Sequence, residues 1–196
     1  MTGLIKGNAK GYVNEILKAY DQAGYKVQLF LLNAAYAGVP QARERVFFIA
    51  HRKDLNYPKL QIAFNEPVIP FGEVRSEHGL PVNPNTQVYR CLQQRRPEDM
   101  SIADILVRNG EKRRCFTTKI LPDNKVALTL CSNGECYRGY DGMQISEQDI
   151  INIQTFPQDY NFGKQSKQYV CGMSVPPVLM ANIATEIYAQ WFINDK

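Results

Sequence analysis

Three polar side chains at alternate positions, Gln41, Arg43 and Arg45, stand directly before an apolar run in the segment Gly38-Val39-Pro40-Gln41-Ala42-Arg43-Glu44-Arg45-Val46-Phe47-Phe48-Ile49. Residues two apart on an extended chain point to one side, so Arg43 and Arg45 share a face if strand geometry begins there. Paired guanidinium groups are planar donor forks that suit phosphate oxygens or the acceptor edges of bases. A solvated charged turn is the other reading of the same residues. A second basic set lies between Arg90 and Lys119 and includes the pair Arg95-Arg96 and the run Lys112-Arg113-Arg114. These five are candidates for contacts to a phosphate backbone, with an ordinary soluble surface as the alternative. The net charge of +4 is modest, so acidic partners are favoured by clustering rather than by total charge.

The remaining reactive residue types suggest less. The five cysteines, Cys91, Cys115, Cys131, Cys136 and Cys171, are odd in number and scattered, which argues for reduced thiols rather than a disulfide framework. Only Cys131 and Cys136 are close together, and His51 and His78 are distant, so no metal site is expected. Cys171 has no histidine near it in sequence to activate it and reads as a buried structural thiol.

These side chains need elements to hold them. A chain of 196 residues and 22.3 kDa suits one domain or two small ones, with 44% hydrophobic and 21% charged residues marking a folded composition. Apolar stretches such as 46–50 fall far short of the roughly 20 residues that cross a bilayer, so no membrane partner is expected. The opening residues lack the apolar core and cleavage pattern of a secretory signal, which makes the cytoplasm the expected compartment.

Tyr12, Val13, Ile16, Leu17 and Tyr20 fall at helical spacing between a possible cap at Asn8 and a terminator at Gly24. Residues 26–33 and 45–50 are nearly apolar on both faces and predict two buried strands, and a sheet of two needs something to cover its edges. From about residue 54 to 140 prolines interrupt short apolar runs, which predicts an irregular insert with a short helix over 101–109 and a strand over 125–131. Ser146 and Asp149 are spaced to cap a helix carrying Ile150, Ile151 and Ile153 that Pro157 ends. Ser174 is placed to cap a last helix entered through Pro176 and Pro177, with Leu179, Ile183, Ile187 and Trp191 as its core stripe.

The segment LNAAYAGVPQARERVFFIA resembles the QxRxR block, counted eighth, of DNA cytosine-5 methyltransferases. The segment from Ser146 to Tyr160 is similar to that family's ninth block, and Tyr169 to Pro177 resembles its tenth. The three stand in the right order. The irregular basic insert lies where the family carries its target-recognition domain, and Thr2-Gly3-Leu4 resembles the residues that follow the sixth block. The implied fold is α/β: a partial Rossmann-like S-adenosylmethionine methyltransferase sheet with an inserted, mostly irregular or β, target-recognition domain. The implied division is 1–55 for the second half of the catalytic-type domain, 56–140 for the DNA-binding insert and 141–196 for the return to the catalytic-type domain.

The resemblance implies base flipping and methyl transfer from S-adenosylmethionine to C5 of cytosine in double-stranded DNA. Gln41, Arg43 and Arg45 would then support the flipped-base pocket and adjoining phosphates, and Gly172, Ser174 and Val175 would contact the cofactor. The family's nucleophile comes from a Pro-Cys-Gln block and its assisting glutamate from a Glu-Asn-Val block, and the chain contains neither. The glycine-rich turn that opens the cofactor site is absent as well, since Gly3, Gly7 and Gly11 precede no predicted strand. Departures inside the matching blocks are Met173 for the family's asparagine and Met143, Asp149, Asn152 and Thr155 for its Arg, Glu, Arg and Gly. The expectation is a bacterial or phage-encoded DNA-recognising portion, inactive alone, that uses S-adenosylmethionine only when completed by a complementary methyltransferase chain or that self-associates. An inert DNA-binding module or a degenerate fragment is the alternative.

Overall fold

The computed structural model describes residues 10–115 and 117–193, which pack as two compact units. One unit contains the residues up to Asn33, Glu44–Asn65 and the chain from Met180 onward, and the other contains Ala34–Arg43 and Glu66–Leu179. Asn8, the Thr2-Gly3-Leu4 segment, Gly3 and Gly7 lie outside the described residues.

In the first unit, helix α1 (Lys10–Gln22) runs into strand β1 (Tyr25–Asn33) through Gly24, whose φ of 85° is a left-handed value that glycine adopts at little cost. Val13, Ile16, Leu17 and Tyr20 turn inward as the spacing requires, but Tyr12 is exposed. Strand β1 pairs antiparallel with β3 (Glu44–Arg52) in a register from Tyr25 opposite Arg52 to Asn33 opposite Glu44. Expected to be buried on both faces, these strands are mostly half-buried, and Leu31 is 42% exposed. A two-stranded ribbon has two edges and cannot enclose its own side chains. Helix α7 (Pro177–Trp191) ends in this unit, where Trp191 stacks on Tyr57 at 5.5 Å, meets His51 edge-on and donates its indole N–H to the Pro58 carbonyl at 3.0 Å.

The second unit is built from short elements. Strand β2 (Gln41–Ala42) pairs in parallel with β5 (Ala127–Leu128), and β4 (Lys119–Leu121) pairs in parallel with β6 (Cys136–Arg138). The strand expected over 125–131 is thus only two residues long, because residues 129–131 bond to side chains and Lys125 bonds to the backbone of Phe71 and Pro122 instead of to a neighbouring strand. Helices α2 (Phe71–Val74), α3 (Gln87–Leu92) and α4 (Ile102–Arg108) lie between the strands, with Ser101 and Gly110 bounding α4 as expected. Leu92, Ile102, Ile105 and Leu106 form one apolar core with Ile120 and Tyr137.

Helix α5 (Glu147–Gln154) carries the capping box its sequence predicts, with the Ser146 hydroxyl accepting from the Asp149 N–H and the Asp149 carboxylate accepting from the Ser146 N–H at 2.8 Å. Its isoleucines pack with Leu121, Leu130 and Cys136, so residues 141–179 share a core with the insert. The second unit therefore continues past residue 140, since the apolar face of α5 is covered by Leu121, Leu130 and Cys136. Helix α6 (Lys167–Met173) follows, and Ser174 closes it with an extended backbone rather than opening α7. The stretch Lys167–Trp191 has the length and apolar composition to cross a membrane, but the break after Met173 divides it into helices of 7 and 15 residues, each below the roughly 20 that a span needs.

Candidate functional site

The turn that carries Gln41 and Arg43 is set by a short 3-10 helix at Ala34–Tyr36 and by Gly38, whose φ is 71°. Ala34 closes the loop by donating its N–H to the Arg43 carbonyl at 2.9 Å. The loop delivers both polar side chains into the interior of the second unit, where each is 0% exposed. Arg43 belongs to no strand, so the shared face expected for Arg43 and Arg45 does not form.

A buried polar cluster results. The Gln41 amide donates through Nε2 to Gln154 Oε1 at 2.6 Å, and its Oε1 accepts from the Leu130 N–H at 3.1 Å and from Arg43 Nη1 at 3.3 Å. Arg43 donates through Nη1 to the Leu130 carbonyl at 2.9 Å and through Nη2 to the Gly172 carbonyl at 2.7 Å. Gln154 passes the chain on, its Nε2 donating to the Ser174 hydroxyl at 3.0 Å, which itself donates to the Cys171 carbonyl at 3.1 Å. Three segments far apart in sequence, 41–43, 154 and 171–174, are therefore joined to one another and to the Leu130 backbone by side chains that the fold has withdrawn from water. Buried polar groups are costly unless paired, so this pairing holds the segments in one arrangement. Gln154 agrees with the ninth block, but its residue type announces no chemistry on a helix that is largely polar and also carries Gln148.

Burial also sets the thiols of this unit. Cys171 is pushed up to about 11 by its apolar surroundings, with Arg43 and Lys167 pulling the other way. Burial pushes Cys136 up to about 12 despite Lys119. Neither is a nucleophile at neutral pH. Among the described residues no three His, Cys, Asp or Glu side chains gather as metal ligands.

The remaining candidates are placed apart. Arg45 sits in the first unit, half-buried, with Nη1 donating to the Glu44 carbonyl at 2.8 Å. In the second unit Arg95 donates to three backbone carbonyls: Nε to Gly139, Nη1 to Leu92 and Nη2 to Tyr140, each at 2.8 Å. These three bonds hold the guanidinium against the loop at residues 139–140. Arg96, Lys112, Arg113 and Arg114 are exposed, with Arg114 paired to Glu111 at 2.8 Å.

The residues expected to contact a cofactor are engaged internally. The Gly172 carbonyl is held by Arg43, and a Cβ at Gly172 would stand 2.3 Å from the Ser132 nitrogen, so its missing side chain accommodates the neighbouring backbone. The Ser174 hydroxyl both accepts and donates within the cluster, and Val175 is half-buried beside it.

Residues 1–189 match the family described as C-5 cytosine-specific DNA methylase. The chain is 28% identical to the type II methyltransferase M.BsuRI of Bacillus subtilis over 94% of its own length and 47% of the relative's. It is 28% identical to the type II methyltransferase M1.HphI of Haemophilus parahaemolyticus over 88% of its length and 50% of the relative's. It thus spans about half the length of these curated relatives. A crystal structure of a DNMT2 variant from Spodoptera frugiperda shares the fold, with a TM-score of 0.59 at 14% identity over 93% of this chain and 64% of that one.

Proposed function

Because the chain belongs to the C-5 cytosine-specific DNA methylase family, we propose that it is the C-terminal, DNA-recognising portion of a cytosine-5 DNA methyltransferase, completed by a second polypeptide segment that carries the nucleophile and the main cofactor contacts. The observation that carries this reading is the buried cluster in which Gln41, Arg43, Gln154 and Gly172 tie together the three segments that resemble the family's later blocks. A framework this specific is retained where a precise geometry is needed, yet no Pro-Cys dipeptide occurs anywhere in the chain. The family uses S-adenosylmethionine as methyl donor. In this reading the donor binds only once the complementary segment is present, because Gly172 and Ser174 are engaged within the fold.

Double-stranded DNA is the proposed substrate. In the first unit Arg45 is the proposed contact to it, and in the second Arg96, Lys112, Arg113 and Arg114 offer exposed cations to phosphates. Arg95 supports the surface through its carbonyl anchors instead. Self-association is the other way the half-buried strands of the first unit would be covered, and the compartment consistent with this role is the bacterial or phage-infected cytoplasm.

Transfer of labelled methyl from S-adenosylmethionine to duplex DNA tests the reading. The full chain alone should transfer none, and it should become active when mixed with a polypeptide bearing the Pro-Cys-Gln and Glu-Asn-Val blocks. Transfer by the chain alone, or a covalent adduct between it and DNA containing 5-fluorocytosine, overturns the proposal. An inert module is the reading favoured by Met173, which is 64% exposed where the family has a polar asparagine. It predicts salt-sensitive duplex binding with no gain from the added polypeptide.

A further inference from the structure

The second unit contains a cavity of about 460 Å³ beside the loop at residues 139–140, a size in the ~300–1,000 Å³ range of small-ligand sites. Pro97, Ile120 and Pro122 give it apolar lining, and Arg96, Asp123 and Tyr140 supply its polar and aromatic groups. Tyr140 is 70% exposed but firmly placed. Arg95 grips the carbonyls of Gly139 and Tyr140, and the chain closes so tightly on this anchor that a Cβ at Gly142 would lie 2.9 Å from Arg95 Nη1. The Arg75 guanidinium stands over the Tyr140 ring, 5.2 Å from its centroid, and donates through Nε to Asp123 Oδ2 at 2.8 Å. The other oxygen, Asp123 Oδ1, is enclosed with no hydrogen-bond partner.

These groups are complementary to a nucleotide. A rigid, exposed aromatic ring offers a stacking face, the two prolines and Ile120 exclude water from a flat ring, the Asp123 side chain is 30% exposed and its Oδ2 can accept a second hydrogen bond beside that from Arg75, and the exposed Arg96 suits a phosphate. We propose that this cavity is a subsite for one unstacked nucleotide of DNA whose base bears an exocyclic amino group. The base stacks on Tyr140, its amino group donates to Asp123, and its phosphate pairs with Arg96. The assignment of DNA as the source of the nucleotide rests on the function proposed above, while the recognition chemistry rests on the cavity alone.

Amide NMR titration of the full chain with dAMP, dCMP and dTMP separates the two. Shifts are expected at Asn124, Gly139 and Tyr140, with dTMP weaker because it lacks the amino group. Tyr140→Ala should weaken dAMP binding about tenfold while Tyr140→Phe preserves it, and Asp123→Asn should narrow the preference over dTMP. The remaining amide spectrum of each variant reports whether it folds. No shift at these amides with millimolar nucleotide, or equal binding by Tyr140→Ala, overturns the subsite. Partner-dependent methyl transfer measured on the same preparation shows separately whether the proposed function stands.

Discussion

The side-chain amides of Gln41 and Gln154 meet at 2.6 Å across 113 positions of sequence, both closed off from solvent. An amide pair in the interior is stable only while every donor and acceptor is engaged, and here Gln41 also serves the Leu130 N–H. Gln41→Ala removes a partner from three buried groups at once, Gln154 Oε1, the Leu130 N–H and Arg43 Nη1, and should cost about 1–3 kcal/mol. Gln154→Ala should cost a similar amount, and the double variant should lose less than the sum, by about 0.5 kcal/mol or more. Urea denaturation of the four proteins measures this cycle, and strict additivity would show that the two amides are not coupled.

Arg43 and Arg45 are expected to separate cleanly by function. The fork of Arg43 reaches two carbonyls, Leu130 and Gly172, from two nitrogens held apart on one rigid plane, a spacing that a lysine's single nitrogen does not reproduce. Arg43→Lys should therefore lower stability by about 1.5–3 kcal/mol. Arg45→Ala should change stability by less than about 0.5 kcal/mol but weaken duplex binding about tenfold or more, as loss of a charge-assisted contact does. Denaturation and DNA titration on both variants check the pair. An Arg45→Ala protein that binds duplex like the wild type removes Arg45 from the proposed interface.

Thr155 follows the last turn of α5 at a φ of 60°, the left-handed conformation that suits glycine and strains a β-branched residue. Its hydroxyl offsets part of this by accepting from the Val178 N–H at 3.2 Å. Substitution by alanine or by glycine deletes that bond equally, so the comparison isolates backbone strain. Thr155→Gly should be more stable than Thr155→Ala by up to about 1 kcal/mol. Thermal melting of the two variants decides it, and equal midpoints would mean that the turn relaxes.

Thr155 also marks how far the sequence can be read. Its place after a capped helix was legible because the capping box and the isoleucine stripe are local, set within a few residues by hydrogen-bond geometry and a 3.6 period. The pairing of β1 with β3 was legible as two continuous apolar runs. The two-residue partners β2 and β5 were not, since Gln41 and Ala127 are brought side by side by packing and not by any local pattern. Ser174 has a cap's residue type, yet it closes α6 because Gln154 and Cys171 hold its hydroxyl. Arg95 reads as a surface cation until the carbonyls of Gly139 and Tyr140, 44 and 45 positions away, are known. Local chemistry was readable, and the role of each arginine depended on distant partners.

The buried thiols give the fold an alkaline limit. Cys171 and Cys136 are raised from about 9 to about 11 and about 12, chiefly by desolvation. A raised thiol keeps its proton in the folded chain at a pH where the unfolded chain has shed it, so above about 9 the unfolded state binds fewer protons and stability falls as pH rises toward the folded values. Below about 9 this contribution is fully present. The limiting slope is about 1.4 kcal/mol per pH unit for each thiol. Urea midpoints at pH 8 and pH 10 should therefore drop more for the wild type than for Cys171→Ala, which lacks one of the titrating groups. In native protein at pH 8 a thiol reagent should label the exposed Cys115 rapidly and reach Cys136 and Cys171 only on unfolding. Native labelling of Cys171 as fast as Cys115 would show that the cluster around Arg43 opens readily, and that the three segments it joins are not held together as the hydrogen bonds require.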